Sequence, residues 1–387
     1  MVGLQASTDV IIVGGGVIGC SIAYYLRKAG VEVIVLEQGD IGAQASSAAA
    51  GLLAPLGSLS GPGPFADLLL ASWSMFPTLM AELEDVSGIR MEYARTGALR
   101  VVRNPKSSAN LRKRMQEWQP LGLQMYWLSG DEARQREPLL APDICAAIYA
   151  PEESQVKAPL VVKAFAKAAE KMGAKLYSQS EVLGVRREHD TITGVYTTQG
   201  ETIACNHLVI ASGAWAAESG IWLNLPLPVT PQRGQILTLR QPTPPLRHII
   251  FGEAIYLAPK FDKTVVVGAT KEEVGFHKQG TAGGVSWLLN SAIRLATSFD
   301  GSAIEQMWAG LRPKTPDNLP ILGSARQWQN VTLALGHGCV GIMLSAITGQ
   351  SIAELVVSGS EPELMLPFSV ERFGETRFGH LATRTGR

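Results

Sequence analysis

The stretch "DVIIVGGGVIGCSIAYYLRKAGVEVIVLEQGD", Asp9 to Asp40, constrains the fold more than any other. Asp9 to Val13 is a β-branched apolar run, as expected of a strand buried on both faces. Gly14, Gly16 and Gly19 follow at once as G-x-G-x-x-G. Val17 to Lys28 then reads as a helix closed by Gly30, and a second apolar run ends on Glu37. Together these make a βαβ unit. The first glycine permits the tight turn, the second lets the backbone approach a pyrophosphate, and the third lets helix and strand pack closely. The helix N-terminus offers free N–H groups and a positive dipole end, and the acid accepts ribose hydroxyls. Gly14, Gly16, Gly19 and Glu37 are therefore expected to hold a dinucleotide, with Val17, Ile18 and Gln38 beside them.

The same spelling recurs as Gly336, Gly338 and Gly341 in "NVTLALGHGCVGIMLSAITGQSIAELVV". A strand precedes it and a helix follows, but no further strand and no acid come after. It cannot be a complete second dinucleotide site. It remains a glycine turn feeding a helix N-terminus, which favours negative charge. A third parallel strand, His207 to Ala211, returns late in the chain and ends in Ser212-Gly213-Ala214. Between lie a helix at about 160–172 and a hairpin-like region, 175–202. Consecutive βα units would suit a nicotinamide dehydrogenase, whereas this late return suits FAD. The expectation is one FAD touched at both ends. The N-terminal turn takes its pyrophosphate, and His337, Gly338, Cys339, Val340, Gly341, Ile342 and Met343 face its ring.

The whole chain is consistent with this. Of its 387 residues 46% are hydrophobic and 18% charged, enough for a large core and against disorder. Lys plus Arg balance Asp plus Glu at 34 each, which excludes a basic nucleic-acid surface. The four cysteines form no C-x-x-C pair, so no metal site or disulfide framework is expected, and a cytoplasmic setting fits. No signal peptide is expected at the start, no membrane-length apolar run elsewhere, and a loose tail from "FGETRFGHLATRTGR" onward.

Five stretches carry a family resemblance: "VIIVGGGVIGCSIAYYL", "GAQASSAAAGLLAP", "VVVGAT", "WAGLRPKTPDNLPILG" and "GHGCVGIMLSAITG". In them the chain resembles the D-amino-acid oxidase superfamily of flavoproteins, most of all its glycine oxidase group of thiamine biosynthesis. The resemblance implies that Ala45, Ser46, Ser47, Ala50, Gly51 and Leu52 wrap a non-covalent FAD. Val182, Ser212 and Gly213 complete that site. It further implies that Arg312 pairs with a substrate carboxylate, that Tyr256 adds a hydroxyl, and that Leu52 and Cys339 border the substrate. A guanidinium grips a carboxylate bidentately, so the arginine makes physical sense. Glycine oxidases tend to read Gly-His-x-Arg-Asn-Gly at the second turn, where this chain has Cys339 and Val340. They can carry a histidine where it has Ala254. The departure at the second turn predicts a roomier, less cationic pocket, and Ala254 gives the Tyr256 role less support.

The expected fold is a two-lobed α/β protein. A Rossmann-like FAD-binding domain is assembled from 1–57, 150–220 and 308–365. A substrate domain with an antiparallel sheet comes from 58–149 and 221–307, and 366–387 forms a C-terminal tail. The expected activity is oxidative deamination of glycine, sarcosine or small D-amino acids, with dioxygen as acceptor and hydrogen peroxide released. The expected partners are that amino acid and dioxygen, without nucleic acid or membrane, in a homo-oligomer. Two other readings are a dehydrogenase passing electrons to a quinone or partner protein, and a non-catalytic FAD module.

Overall fold

The computed structural model describes residues 6–200 and 202–374. The opening apolar run becomes the strand Ser7–Val13, with Val10, Ile11, Ile12 and Val13 all buried. A strand apolar on both faces needs a layer on each side. It sits inside a sheet ordered Ile321–Ser324, Val331–Leu335, Thr202–Ile210, Ser7–Val13, Val33–Leu36 and Lys175–Tyr177. All neighbours are parallel except the edge strand Ile321–Ser324. The hairpin Val182–Glu188 and Thr191–Thr197 extends the start of Thr202–Ile210. The region 175–202 is thus one parallel strand plus a hairpin, since Lys175–Tyr177 finds its partner in Val33–Leu36.

Alternation along Ser7–Val13 divides the core. Val10 and Ile12 face the helices Val17–Lys28, Pro64–Ser87, Ala158–Lys171 and Gly341–Ser358. Ile11 and Val13 face the helix Ala216–Leu223, Trp328 and the turns that carry Val370 and Phe373. By length and composition Gly341–Ser358 could cross a membrane, but 67% of it is buried. It serves here as a core helix.

The second sheet has eight strands. Their order is Ile304–Lys314, Thr230–Arg240, Thr264–Gly268, Tyr256–Pro259, Ile249–Phe251, Ala98–Val102, Ala146–Ala150 and Tyr126–Ser129. Pairing is antiparallel except between Ile249–Phe251 and Ala98–Val102. Helix Ala282–Leu295 covers one face.

Three boundaries differ from the sequence reading. Residues 308–314, grouped there with the first lobe, pair residue by residue with Thr230–Arg240 in the second sheet. Helix Pro64–Ser87, grouped with the second lobe, buries Leu68, Phe76 and Leu83 in the core of the first sheet. The tail does not begin at 366, because Phe368, Val370 and Phe373 are buried. Residues 375–387 lie outside the described residues, as do Met1 to Gln5.

A buried ion pair ties the second sheet to the loop that leaves the first. Arg100 Nη1 and Nη2 donate to Glu153 Oε2 and Oε1 at 2.6 and 2.8 Å, and Leu56 N donates to Glu153 Oε1 at 3.1 Å. Arg100 also lies over the Phe251 ring, 4.6 Å from its centroid. Removing one partner strands a buried charge, which costs about 3–5 kcal/mol. Glu153→Ala is expected to lose that much in urea unfolding, while the double variant Arg100→Met/Glu153→Leu loses less. A double variant no better than the single would contradict the desolvation argument.

Candidate active site and cofactor cleft

A cleft of about 470 Å³ is lined by both sheets and both glycine turns. At the first turn, Gly14 has φ +109° and donates to Leu36 O at 2.8 Å. A β-carbon there would lie 2.4 Å from Ala211 O, so the turn is squeezed between two strands. Gly16 opens the helix Val17–Lys28, with no side-chain cap of its own. Ser46 supplies one instead: its Oγ accepts from Val17 N at 2.9 Å. The first-turn amides of Ile18 and Gly19 have no acceptor within the helix. Glu37 is buried at the cleft wall, its Oε2 accepting from Gly15 N at 2.8 Å and its Oε1 from Gly39 N at 2.9 Å. The carboxylate thus fixes the first glycine turn and the backbone at Gly39, and keeps lone pairs for a ribose.

Gly14, Gly16, Val17, Ile18, Glu37, Gln38, Ala45, Ser46, Ala50, Gly51, Leu52, Val182, Ser212 and Gly213 all line the cleft. Two expected contacts do not. Gly19 packs against the strand, where a β-carbon would lie 1.9 Å from Gly14 O. Ser47 sits behind the wall, its amide donating to Gly42 O at 3.1 Å.

The second turn carries Gly336 at φ +69° and Gly338 at φ +53°. His337, Gly338, Cys339, Val340, Gly341, Ile342 and Met343 line the cleft with it. His337 is buried and its Nε2 pairs with Thr348 Oγ1 at 3.2 Å. Burial pushes its pKa down to about 3, so the imidazole is neutral and acts as an anchor. Cys339 is exposed to the cleft.

Between the turns, Lys260 fastens the wrapping loop. Its Nζ donates to Ala50 O at 2.7 Å, Gln155 Oε1 at 2.8 Å and Val156 O at 3.2 Å. Burial pulls its pKa down to about 7, against the attraction of Glu92 and Asp262 and with the repulsion of Lys157.

The second sheet supplies the remaining wall. Arg312 is half-buried, and its Nη1 donates to Thr270 O at 3.0 Å. Its guanidinium fills the space over Gly234, where a β-carbon would lie 2.2 Å from Nη2. The Tyr256 ring likewise fills the space over Gly268, where a β-carbon would lie 2.3 Å from the phenol oxygen. Burial raises the Tyr256 pKa well above the ordinary phenol value, the Arg312 charge works against that, and Cys339 adds to it. The phenol is therefore a protonated donor within electrostatic reach of both. Arg312, Tyr256, Cys339, Leu52 and Ala254 all border one cavity.

Sequence reading missed Gly234, Ile236, Phe251, Ala269 and Lys271 on this side of the cleft, and Trp215 and Trp222 after the strand Thr202–Ile210. Gly234 had a mark in the sequence, a glycine within the expected strand "GQILTLR". The others depend on sheet register and carry no local mark.

The residues fit FAD. Gly213 and Gly338 face open space, Gly16 meets nothing closer than Ser46 Oγ at 3.2 Å, and two helix starts, whose first-turn amides have no acceptor within the helix, border the cleft. That is a cradle for a long, anionic, partly planar ligand.

Comparison with known proteins agrees. Residues 9–355 match the family described as FAD dependent oxidoreductase, DAO. The chain is 37% identical over 366 residues to a glycine oxidase of Geobacillus kaustophilus, covering 94% of this chain and 97% of that one. It superposes on a crystal structure of glycine oxidase from that organism with a TM-score of 0.91, at 36% identity, covering 95% and 99% of the two chains. It is also 37% identical over 369 residues to the bifunctional protein ThiO/ThiG of Trichormus variabilis. It covers 94% of itself but spans only 55% of that relative's length.

Two predictions follow from the cleft geometry. Gly16→Val places methyls against Ser46 Oγ and over the phosphate approach, and the purified variant is expected to be largely colourless. Full yellow colour at unchanged flavin content would refute the placement. Lys260 has a folded pKa near 7 and an unfolded one near 10.4. Between these the unfolded chain binds more protons, so the group adds stability as pH rises from about 7 and withdraws it as pH falls through 7. Relative to Lys260→Met, the wild-type melting temperature is expected to rise by about 2 °C or more between pH 6.5 and 9. A pH-independent difference counts against it.

Proposed function

The chain belongs to the DAO family of FAD-dependent oxidoreductases, and from that premise we propose that it is an amino-acid oxidase of the glycine oxidase kind. The observation that carries this reading is Arg312 beside Tyr256 in the cavity that the two glycine turns also line. The proposed division of labour puts the cofactor on the parallel-sheet lobe and the substrate on the antiparallel one. Gly14, Gly16, Glu37, Ser46 and the turn at Gly338 are the proposed cofactor contacts.

In the proposed reaction Arg312 binds the α-carboxylate. One of its donors is committed to Thr270 O, which holds the guanidinium plane while the others reach the cavity. Tyr256 stays protonated and donates a second hydrogen bond to the same carboxylate. These two contacts orient the α-carbon. His337 contributes shape and no proton transfer, because it is neutral and tied to Thr348. FAD held there would supply a hydride acceptor for the α-hydrogen that dioxygen could reoxidise, with hydrogen peroxide as the by-product. The amine gives up that hydride and one N–H proton, the latter to solvent, to become an imine, and one water hydrolyses it to the carbonyl acid and the free amine, ammonia from a primary amino acid and methylamine from sarcosine.

A dehydrogenase using a quinone remains a second reading only for the acceptor. We also propose a homo-oligomer, because Ile304 and Met307 stand exposed on the edge strand Ile304–Lys314. A cytoplasmic setting is proposed from the four free cysteines.

Anaerobic mixing with glycine, sarcosine and small D-amino acids should bleach the flavin, and air should restore it with one peroxide per turnover. Bleaching without peroxide would transfer the reading to the dehydrogenase. Truncating one partner of a desolvated charge pair costs about 2–5 kcal/mol. Arg312→Ala is therefore expected to weaken apparent amino-acid affinity about tenfold or more, with flavin still bound. Normal saturation in that variant would show the carboxylate site to be elsewhere.

A further inference from the structure

The second turn lacks an arginine at 339, yet the cavity has a second cation. Lys271 lines it, is exposed, and has no hydrogen bond or ion pair among the described residues. Register places it. Arg233 bridges Glu272, so Gly234 lies abreast of Lys271 on the next strand. On its other side Gly234 pairs with Gly310, and Gln232 pairs with Arg312. Residues abreast in a sheet share a face, so Gly234, Lys271 and Arg312 all point into the cavity. The Arg312 guanidinium covers Gly234. Lys271 therefore springs from the adjoining strand, about 5 Å away across the sheet.

The acids beside Lys271 are committed elsewhere. Glu272 accepts from Arg233, Thr270 and Gln235. Burial pushes its pKa up, and those bonds outweigh it and hold it at about 2. Glu273 accepts from Lys314 at 2.7 Å and Gln232 at 2.9 Å. Elsewhere on the wall, Glu37, Glu181 and Glu218 sit with the first turn, Val182 and Ser219. Glu253, on the loop before Tyr256, accepts from Ser107 Oγ at 2.7 Å. Lys271 is left as an uncompensated charge beside the carboxylate site. Arg312 and Tyr256 already satisfy one carboxylate. The neighbouring wall at Ala254 and Ala269 carries only methyl side chains and leaves room for another.

We propose that Lys271 makes this a two-cation pocket selecting amines with two carboxylates, Arg312 taking the α-carboxylate and Lys271 the second. This rests on the amino-acid oxidase reading above. Two shapes share that chemistry: an acidic D-amino acid and an N-carboxymethyl amine.

The test uses purified holoenzyme and peroxide-based kcat/KM for three matched pairs. They are D-aspartate against D-asparagine, D-glutamate against D-glutamine, and iminodiacetate against sarcosine. In the wild type at least one diacid should exceed its uncharged partner about tenfold, and the pair showing it distinguishes the two shapes. Lys271→Met should bring that ratio near one and Lys271→Glu should invert it, at wild-type flavin content and melting temperature. A wild-type ratio at or below one in every pair, or one unmoved in Lys271→Met, overturns the proposal while monocarboxylate turnover leaves the oxidase reading standing. If no amine in the panel or glycine bleaches the flavin anaerobically, the oxidase reading falls and this proposal with it.

Discussion

The helices Val17–Lys28 and Gly341–Ser358 touch where a side chain on Gly349 would leave no room. A β-carbon there would lie 2.1 Å from Ser21 Oγ, and that hydroxyl donates to Ser345 O at 2.7 Å. Each helix also packs on the parallel sheet, one after Ser7–Val13 and the other after Val331–Leu335. Two helices held this closely, each leaving the C-terminal end of a parallel strand, bring their N-termini to one crevice. That contact is why two G-x-G-x-x-G spellings serve one ligand. The acid Glu37 follows the first alone, and the second reaches the antiparallel sheet, where the proposed substrate contacts lie.

The antiparallel sheet answers with a different device. It must present two large polar side chains to a cavity without filling it. It does so by removing side chains from the strand next door: Gly234 yields to the Arg312 guanidinium and Gly268 to the Tyr256 ring. Each polar group then lies flat along the wall. Arg312 is further pinned by Thr270 O, which would leave its remaining donors preorganised for the proposed carboxylate rather than free to search.

Much of the parallel lobe was legible because its signals are local. Asp9 to Glu37 spells strand, turn, helix and strand within one window, and its glycines and acid have fixed offsets. The proposed roles of Arg312 and Tyr256 came only through family likeness, since nothing near either residue in the sequence marks it as lining the cavity. What stayed hidden depends on register between distant strands. Lys271 gains meaning only when Arg233 bridges Glu272, and Lys260 only when its hairpin reaches Ala50 O. Helix Pro64–Ser87 is apolar enough to be buried, but its sequence does not say against which sheet. The strand Ile304–Lys314 misled for a related reason. Its sequence sits next to the last pieces of the parallel sheet, while its hydrogen bonds go to Thr230–Arg240.

Charge in the cavity has been relocated rather than lost. The departures at Cys339 and Val340 leave the second turn without a cationic side chain. Lys271 restores a positive charge on the opposite wall, at the end of a long side chain instead of on a glycine turn. The distinction matters physically. A guanidinium on the turn would stand beside the ring of the cofactor and close over a small substrate. An ammonium on the sheet stands beside Arg312 and is separated from it by a glycine. Two like charges so placed repel unless an anion lies between them, and their repulsion is relieved most by a ligand that carries negative charge to both. The same arrangement that costs stability in the empty cavity thereby favours a substrate long enough to span it.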